Sequence, residues 1–114
     1  MSVINGNNII ISGAKSLAVT LKESSQLTFL SLEWNQIGSD GAMYLAEALT
    51  FNTSLLHVDL RNNNIGDEGA LELSKALVSN DTVKTLDLRW NQVSPTFHFI
   101  VTTFFLLRRI AFTV

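Results

Sequence analysis

Between residues 27 and 94 the chain runs three times through one pattern of apolar and polar positions. Leu27, Leu55 and Val83 open segments that read LTFLSLEWNQIG, LLHVDLRNNNIG and VKTLDLRWNQVS. In each, apolar residues alternate with polar ones over a few positions, which predicts a short strand with one buried face. Leu30 and Leu32, Val58 and Leu60, and Leu86 and Leu88 form the inward set. The period then changes to that of a helix. Ala42, Leu45, Ala46 and Leu49 stand at i, i+3, i+4 and i+7, the spacing of one buried face. Ala70, Leu73, Ser74 and Leu77 repeat that face, as do Ala14, Leu17, Ala18 and Leu21. A strand and a helix recurring every 28 residues predict an α/β solenoid, with parallel strands on a concave face and helices on the convex one.

The polar residues punctuate the same period. Asn35, Asn63 and Asn91 close the three strand segments, and an earlier partial copy, VINGNNII, puts Asn7 in register with them. A buried turn must satisfy its backbone N–H and C=O groups, and an asparagine amide supplies both a donor and an acceptor. These four residues are therefore expected to form a structural ladder. Ser39 and Asp67 are placed as helix N-caps, with Asp40 and Glu68 in the first turn, where the helix dipole favours negative charge. Gly13, Gly41 and Gly69 each precede the first buried alanine, a sign of close approach between helices. Asn52 and Asn80 follow the last helical leucine and suit a left-handed C-cap.

The pattern dissolves at Pro95. A Gly-Ala pair is due one period after Gly69 and Ala70, and Phe97 and His98 stand there instead. This divides the chain into repeats over residues 1–94, with copies starting at 27, 55 and 83 after a partial first one, and an apolar tail over 95–114. Five of the seven phenylalanines lie in the tail, and its apolar run is shorter than the ~20 residues that span a bilayer. Three readings of the tail stay open: a cap over the last repeat, a terminus foreign to the fold, or a membrane-associated segment. With the first copy incomplete as well, the chain reads as a fragment of a longer array.

Charge narrows the choice of partner. Residues 1–94 hold six Lys/Arg against ten Asp/Glu, and an acidic body does not suit a nucleic-acid groove. The absence of cysteine removes thiol chemistry and thiolate metal sites, and suits a reducing compartment. Met1 is followed by neither a basic stretch nor a long apolar one, so no secretory signal is expected.

The residues between the inward leucines are expected to face the concave side in columns. Phe29, His57 and Thr85 form the first, and Ser31, Asp59 and Asp87 the second. Glu33, Arg61 and Arg89 form the third, with Trp34, Asn62 and Trp90 at the strand ends. Two indoles flanked by arginines are the residue types that dominate binding hot spots. Phe29, Glu33, Trp34, His57, Asp59, Arg61, Asp87, Arg89 and Trp90 are therefore the candidate protein-binding face. The competing reading has each tryptophan packed over its own turn, shielding the asparagines.

Catalysis is not expected. Asp59 and Asp87 are spaced for acid–base work, but an open sheet neither excludes water nor raises a carboxyl pKa. His57 lies near Asp59 with no serine placed as a nucleophile. His98 is no metal partner for His57, and the glycines are repeat positions rather than a phosphate loop. No cofactor, metal, small-molecule substrate, nucleic acid or membrane partner is expected.

The LxxLxLxxN segments with their 28-residue period resemble the leucine-rich repeats of ribonuclease inhibitor and of NOD-like receptor arrays. The series LEWN, DLRNN and LDLRWN, with Gly6-Asn7-Asn8 upstream, more narrowly resembles the leucine-rich-repeat family of the vertebrate centrosome linker. That resemblance implies a cytoplasmic, centrosomal structural adaptor acting through protein contacts. The family also carries a long coiled coil, which this sequence lacks. The alternatives are a piece of a NOD-like receptor array and an enzyme inhibitor; the concave arginines oppose the second.

Overall fold

The computed structural model describes residues 2, 3, 6, 9–108 and 111–113. Strands and helices alternate along it: β1 (Ser2–Val3), α1 (Ile11–Glu23), β2 (Phe29–Ser31), α2 (Gly38–Phe51), β3 (His57–Asp59), α3 (Asp67–Ser79), β4 (Thr85–Asp87), α4 (Pro95–Arg108) and β5 (Ala111–Thr113). The strands pair in chain order into one parallel sheet. Phe29 pairs with His57 and His57 with Thr85, so neighbouring strands are offset by one sequence period. Each helix packs on the next in the same order, forming a second layer behind the sheet.

The core lies between these layers. Leu30, Leu32, Val58, Leu60, Leu86 and Leu88 are buried from the strand side. Ala42, Leu45, Ala46 and Leu49 meet them from α2, and Ala70, Leu73, Ser74 and Leu77 from α3. In α1, Ala14, Ala18 and Leu21 are buried while Leu17 is only partly covered. β2, β3 and β4 are three residues long, shorter than the alternating segments. Leu32 and Leu60 lie past their ends, yet their N–H groups continue the ladder to the carbonyls of Asp59 and Asp87.

The helix spacing depends on glycine. A Cβ at Gly69 would lie 2.9 Å from the backbone Cα of Ser39 and 3.1 Å from the Ala42 side chain. One at Gly41 would come within 3.2 Å of Ala14. α2 and α3 therefore approach backbone to backbone at this level, and α1 and α2 leave no room for a side chain at Gly41. In α4 Phe97 and His98 take the Gly-Ala place, yet the helix still buries Val101 in the common core. Phe99, Ile100 and Leu106 remain exposed on it.

Two sequence expectations about helix ends are corrected. Asn52 and Asn80 are C-caps with extended backbone, φ −72 and −88, not left-handed. Ser39 and Asp67 cap nothing: α2 starts from Ile37 and α3 from Gly66, neither with a side-chain cap. Both residues reach to the next repeat instead. Ser39 Oγ accepts the Gly66 N–H at 2.9 Å, and Asp67 Oδ1 accepts the Ser94 N–H at 2.6 Å. The acceptor oxygen that a local cap would use is taken up by the backbone of the following copy.

Candidate interaction face

The asparagines set the geometry of the strand ends. Asn91 Oδ1 accepts the N–H groups of Asn63 and Ile65, both at 2.9 Å, and its Nδ2 donates to the carbonyls of Leu60 and Leu88. Asn35 donates to the Leu32 carbonyl and accepts the Ile9 N–H. Asn63 Nδ2 donates to the carbonyls of Leu32 and Arg61. Its Oδ1 finds no partner among the described residues, while its backbone carbonyl is engaged at the start of α2. There Gly38 is left-handed, φ 67, and sends its N–H to the Asn63 carbonyl at 2.8 Å. Asn7 lies outside the described residues.

A second asparagine ladder, missed in the sequence, closes the helix ends. Asn80 Oδ1 accepts the N–H groups of Thr82 and Val83, while Nδ2 donates to the carbonyls of Leu49 and Asn52. Asn52 does the same toward Ser54, Leu55, Leu21 and Ser24. Its signal in the sequence is a pair of asparagines at the repeat spacing, a pattern that C-caps share.

On the concave side the register brings the acidic and basic columns into contact. Asp59 holds Arg61 through both oxygens, Oδ1 to Nε at 2.9 Å and Oδ2 to Nη2 at 2.7 Å. Arg61 Nη2 also reaches Glu33 at 2.8 Å, and its Nε lies 3.7 Å from Asp87. Asp87 holds Arg89 in the same forked way. Burial alone would raise the Asp59 carboxyl, but hydrogen bonds from the Arg61 side chain and backbone outweigh it, and the pKa falls below the ordinary value. Arg61 is raised by its hydrogen bond to Asp59, and Arg89 by its bond to Asp87. Arg61 is thus the centre of a network and not a free cation.

The other columns sit beside it. His57 Nδ1 hydrogen-bonds Thr85 Oγ1 at 2.8 Å, and its ring tilts against Phe29 at 6.5 Å. These three residues, with Val58, Asp59 and Asp87, line a hollow of 170 Å³.

The strand-end column has a backbone feature that the residue types only hinted at. Gly6, Trp34, Asn62 and Trp90, one period apart, are all left-handed, with φ 64, 62, 55 and 60. Their N–H groups run to the neighbouring strand: Gly6 to Glu33, Trp34 to Arg61, and Asn62 to Arg89. Glycine and asparagine tolerate this conformation, whereas a bulky side chain is strained in it. Trp34 and Trp90 are nevertheless 63% and 60% exposed. The Trp90 ring has the guanidinium of Arg89 at 5.2 Å and that of Arg61 at 5.8 Å.

The convex side carries a groove of about 610 Å³ at α2 and α3, lined by Met43, Tyr44, Glu47, Glu72, Lys75 and others. Among the described residues no helix is long and apolar enough to cross a membrane.

By sequence, no curated protein matches this chain. Among solved structures, leiomodin-1 actin-binding site 2 superposes with a TM-score of 0.88, covering 99% of this chain and 69% of that one. The two are 16% identical, so the likeness is one of fold. The model of the leucine-rich repeat family matches residues 23–46, 51–74 and 79–96, more than half of the sequence. The strand–helix period, the in-order parallel sheet and the family match agree: the chain belongs to the leucine-rich repeat family.

Proposed function

We propose that this chain is a non-enzymatic protein-interaction module whose concave strand ends meet a protein partner. The observation that carries the reading is the pair of exposed tryptophans in a left-handed column. A strained residue kept where asparagine or glycine would be easier points to a role outside folding. Phe29, Glu33, His57, Asp59, Arg61, Asp87 and Arg89 complete the face, with Asp59 and Arg61 holding it rigid. Residues 1–94 are the interacting body in this reading. The helix over 95–108 covers the last core layer, as the burial of Val101 supports.

The strand motifs favour a structural adaptor of the centrosome linker, in the cytoplasm. A tagged chain expressed in vertebrate cells tests this beside a Trp34→Ala, Trp90→Ala variant of the same far-UV CD spectrum. Enrichment at the centrosome that the variant loses supports the adaptor. A diffuse distribution of both sinks it. Because the leiomodin-1 fragment is an actin-binding site, purified actin is the second probe; binding that needs both tryptophans would move the partner to actin.

A further inference from the structure

Trp34 and Trp90 hold the same position of the repeat and nearly the same backbone angle, φ 62 and 60, but their surroundings differ. Trp90 has two guanidiniums near its ring, at 5.2 and 5.8 Å. One comes from Arg89, its own chain neighbour, and the other from Arg61 one copy earlier. Trp34 has no cation over its ring among the described residues. The column explains the contrast. It reads Glu33, Arg61, Arg89, and the residue one period before Glu33 is Asn5. Where Trp90 meets two cations, Trp34 follows an acid in the chain.

Glu33 is only partly engaged. It bonds Arg61 through Oε2 at 2.8 Å, and no bond to its Oε1 is present among the described residues. Across the face, Glu33, Asp59 and Asp87 outnumber Arg61 and Arg89. We propose that Trp34 and Glu33 together receive an arginine side chain of the partner, repeating between molecules the arrangement that Trp90 makes within this one. An open indole face attracts a cation, and the carboxylate of the preceding residue offers a hydrogen-bond acceptor. Arginine fits better than lysine, because its planar fork stacks and hydrogen-bonds at once. This assignment rests on the interaction face proposed above and specifies the chemistry of what it binds.

The experiment uses the ¹⁵N-labelled full chain and follows the two indole N–H resonances, assigned with Trp90→Phe. The probes are a tri-arginine peptide, the same peptide with citrulline in place of arginine, and tri-glutamate. Tri-arginine is expected to shift the Trp34 indole saturably and by more than the Trp90 indole, with citrulline and glutamate without effect. Glu33→Gln is expected to weaken the titration about threefold, the scale of one solvent-screened ion pair. Trp34→Asn, which suits the left-handed backbone, is expected to abolish the shift of the Glu33 amide. Equal shifts at both indoles, no shift, or an equal response to citrulline overturns the proposal. If tri-arginine is silent while the double tryptophan variant still loses its cellular partner, the arginine receptor fails and the interaction face stands.

Discussion

The two ends of each repeat are both closed by asparagine, and they are closed differently. At the helix ends, Asn52 and Asn80 are 2% exposed and each side chain bonds four backbone groups. Extended backbone there costs nothing unusual. At the strand ends, Asn63 has one oxygen without a partner among the described residues, and the column beside it is left-handed at Trp34, Asn62 and Trp90. The strand ends give up some stability, and the exposed indoles are what that arrangement holds. The left-handed bulky residues lie at one end of an otherwise regular repeat, and that is the end on which the proposed interaction face rests.

The largest effect should come from breaking the closed end. Asn80→Ala leaves two buried carbonyls and two N–H groups without partners, and is expected to lower stability by about 3 kcal/mol. Asn63→Ala removes only the donor side of its amide, and about 1–2 kcal/mol is expected. Urea denaturation followed by CD compares them; equal midpoints would erase the distinction between the two ends.

A smaller change of opposite sign is expected in the strained column. Trp34→Asn should raise stability by about 1 kcal/mol, the scale of the left-handed penalty for an ordinary residue. The same melts read it, and a lowered midpoint would mean that the indole stabilises its own turn.

The smallest effect is electrostatic. The Asp59 pKa is depressed in the folded state, so its contribution is fully present above the unfolded value, about 3.9, and is lost as pH falls through the folded one. Stability of the chain should therefore fall below about pH 4. Asp59→Asn should flatten that limb by well under the cost of Asn80→Ala, since the network is partly solvated and water screens it. Parallel acid limbs in the two proteins would show that the Asp59–Arg61 pair contributes nothing to folding.

The comparison also divides what could be read in advance from what could not. Period, strand–helix order and inward residues were legible because burial leaves a mark on every copy: Leu30, Val58 and Leu86 are apolar for the same reason and at the same place. The concave columns followed from the register, and Phe29–His57–Thr85 pair as the spacing requires. The polar groups were less legible. Ser39 and Asp67 have the composition of caps, yet each bonds the following repeat. Asn52 and Asn80 have the composition of left-handed C-caps, yet they tie down backbone from the copy before.

The sequence by itself determined the solenoid, its 28-residue period, its buried face and the asparagine column, because these follow from alternation and spacing within one copy. Only the tertiary structure decided which backbone is left-handed, which carboxylate holds Arg61, and which of two equivalent tryptophans already has its cations. The physical reason is distance along the chain. In a repeat protein most polar partners come from the adjacent copy, as Asn91 does for Asn63 and Glu33 for Arg61, so no single copy reveals them until the copies are stacked.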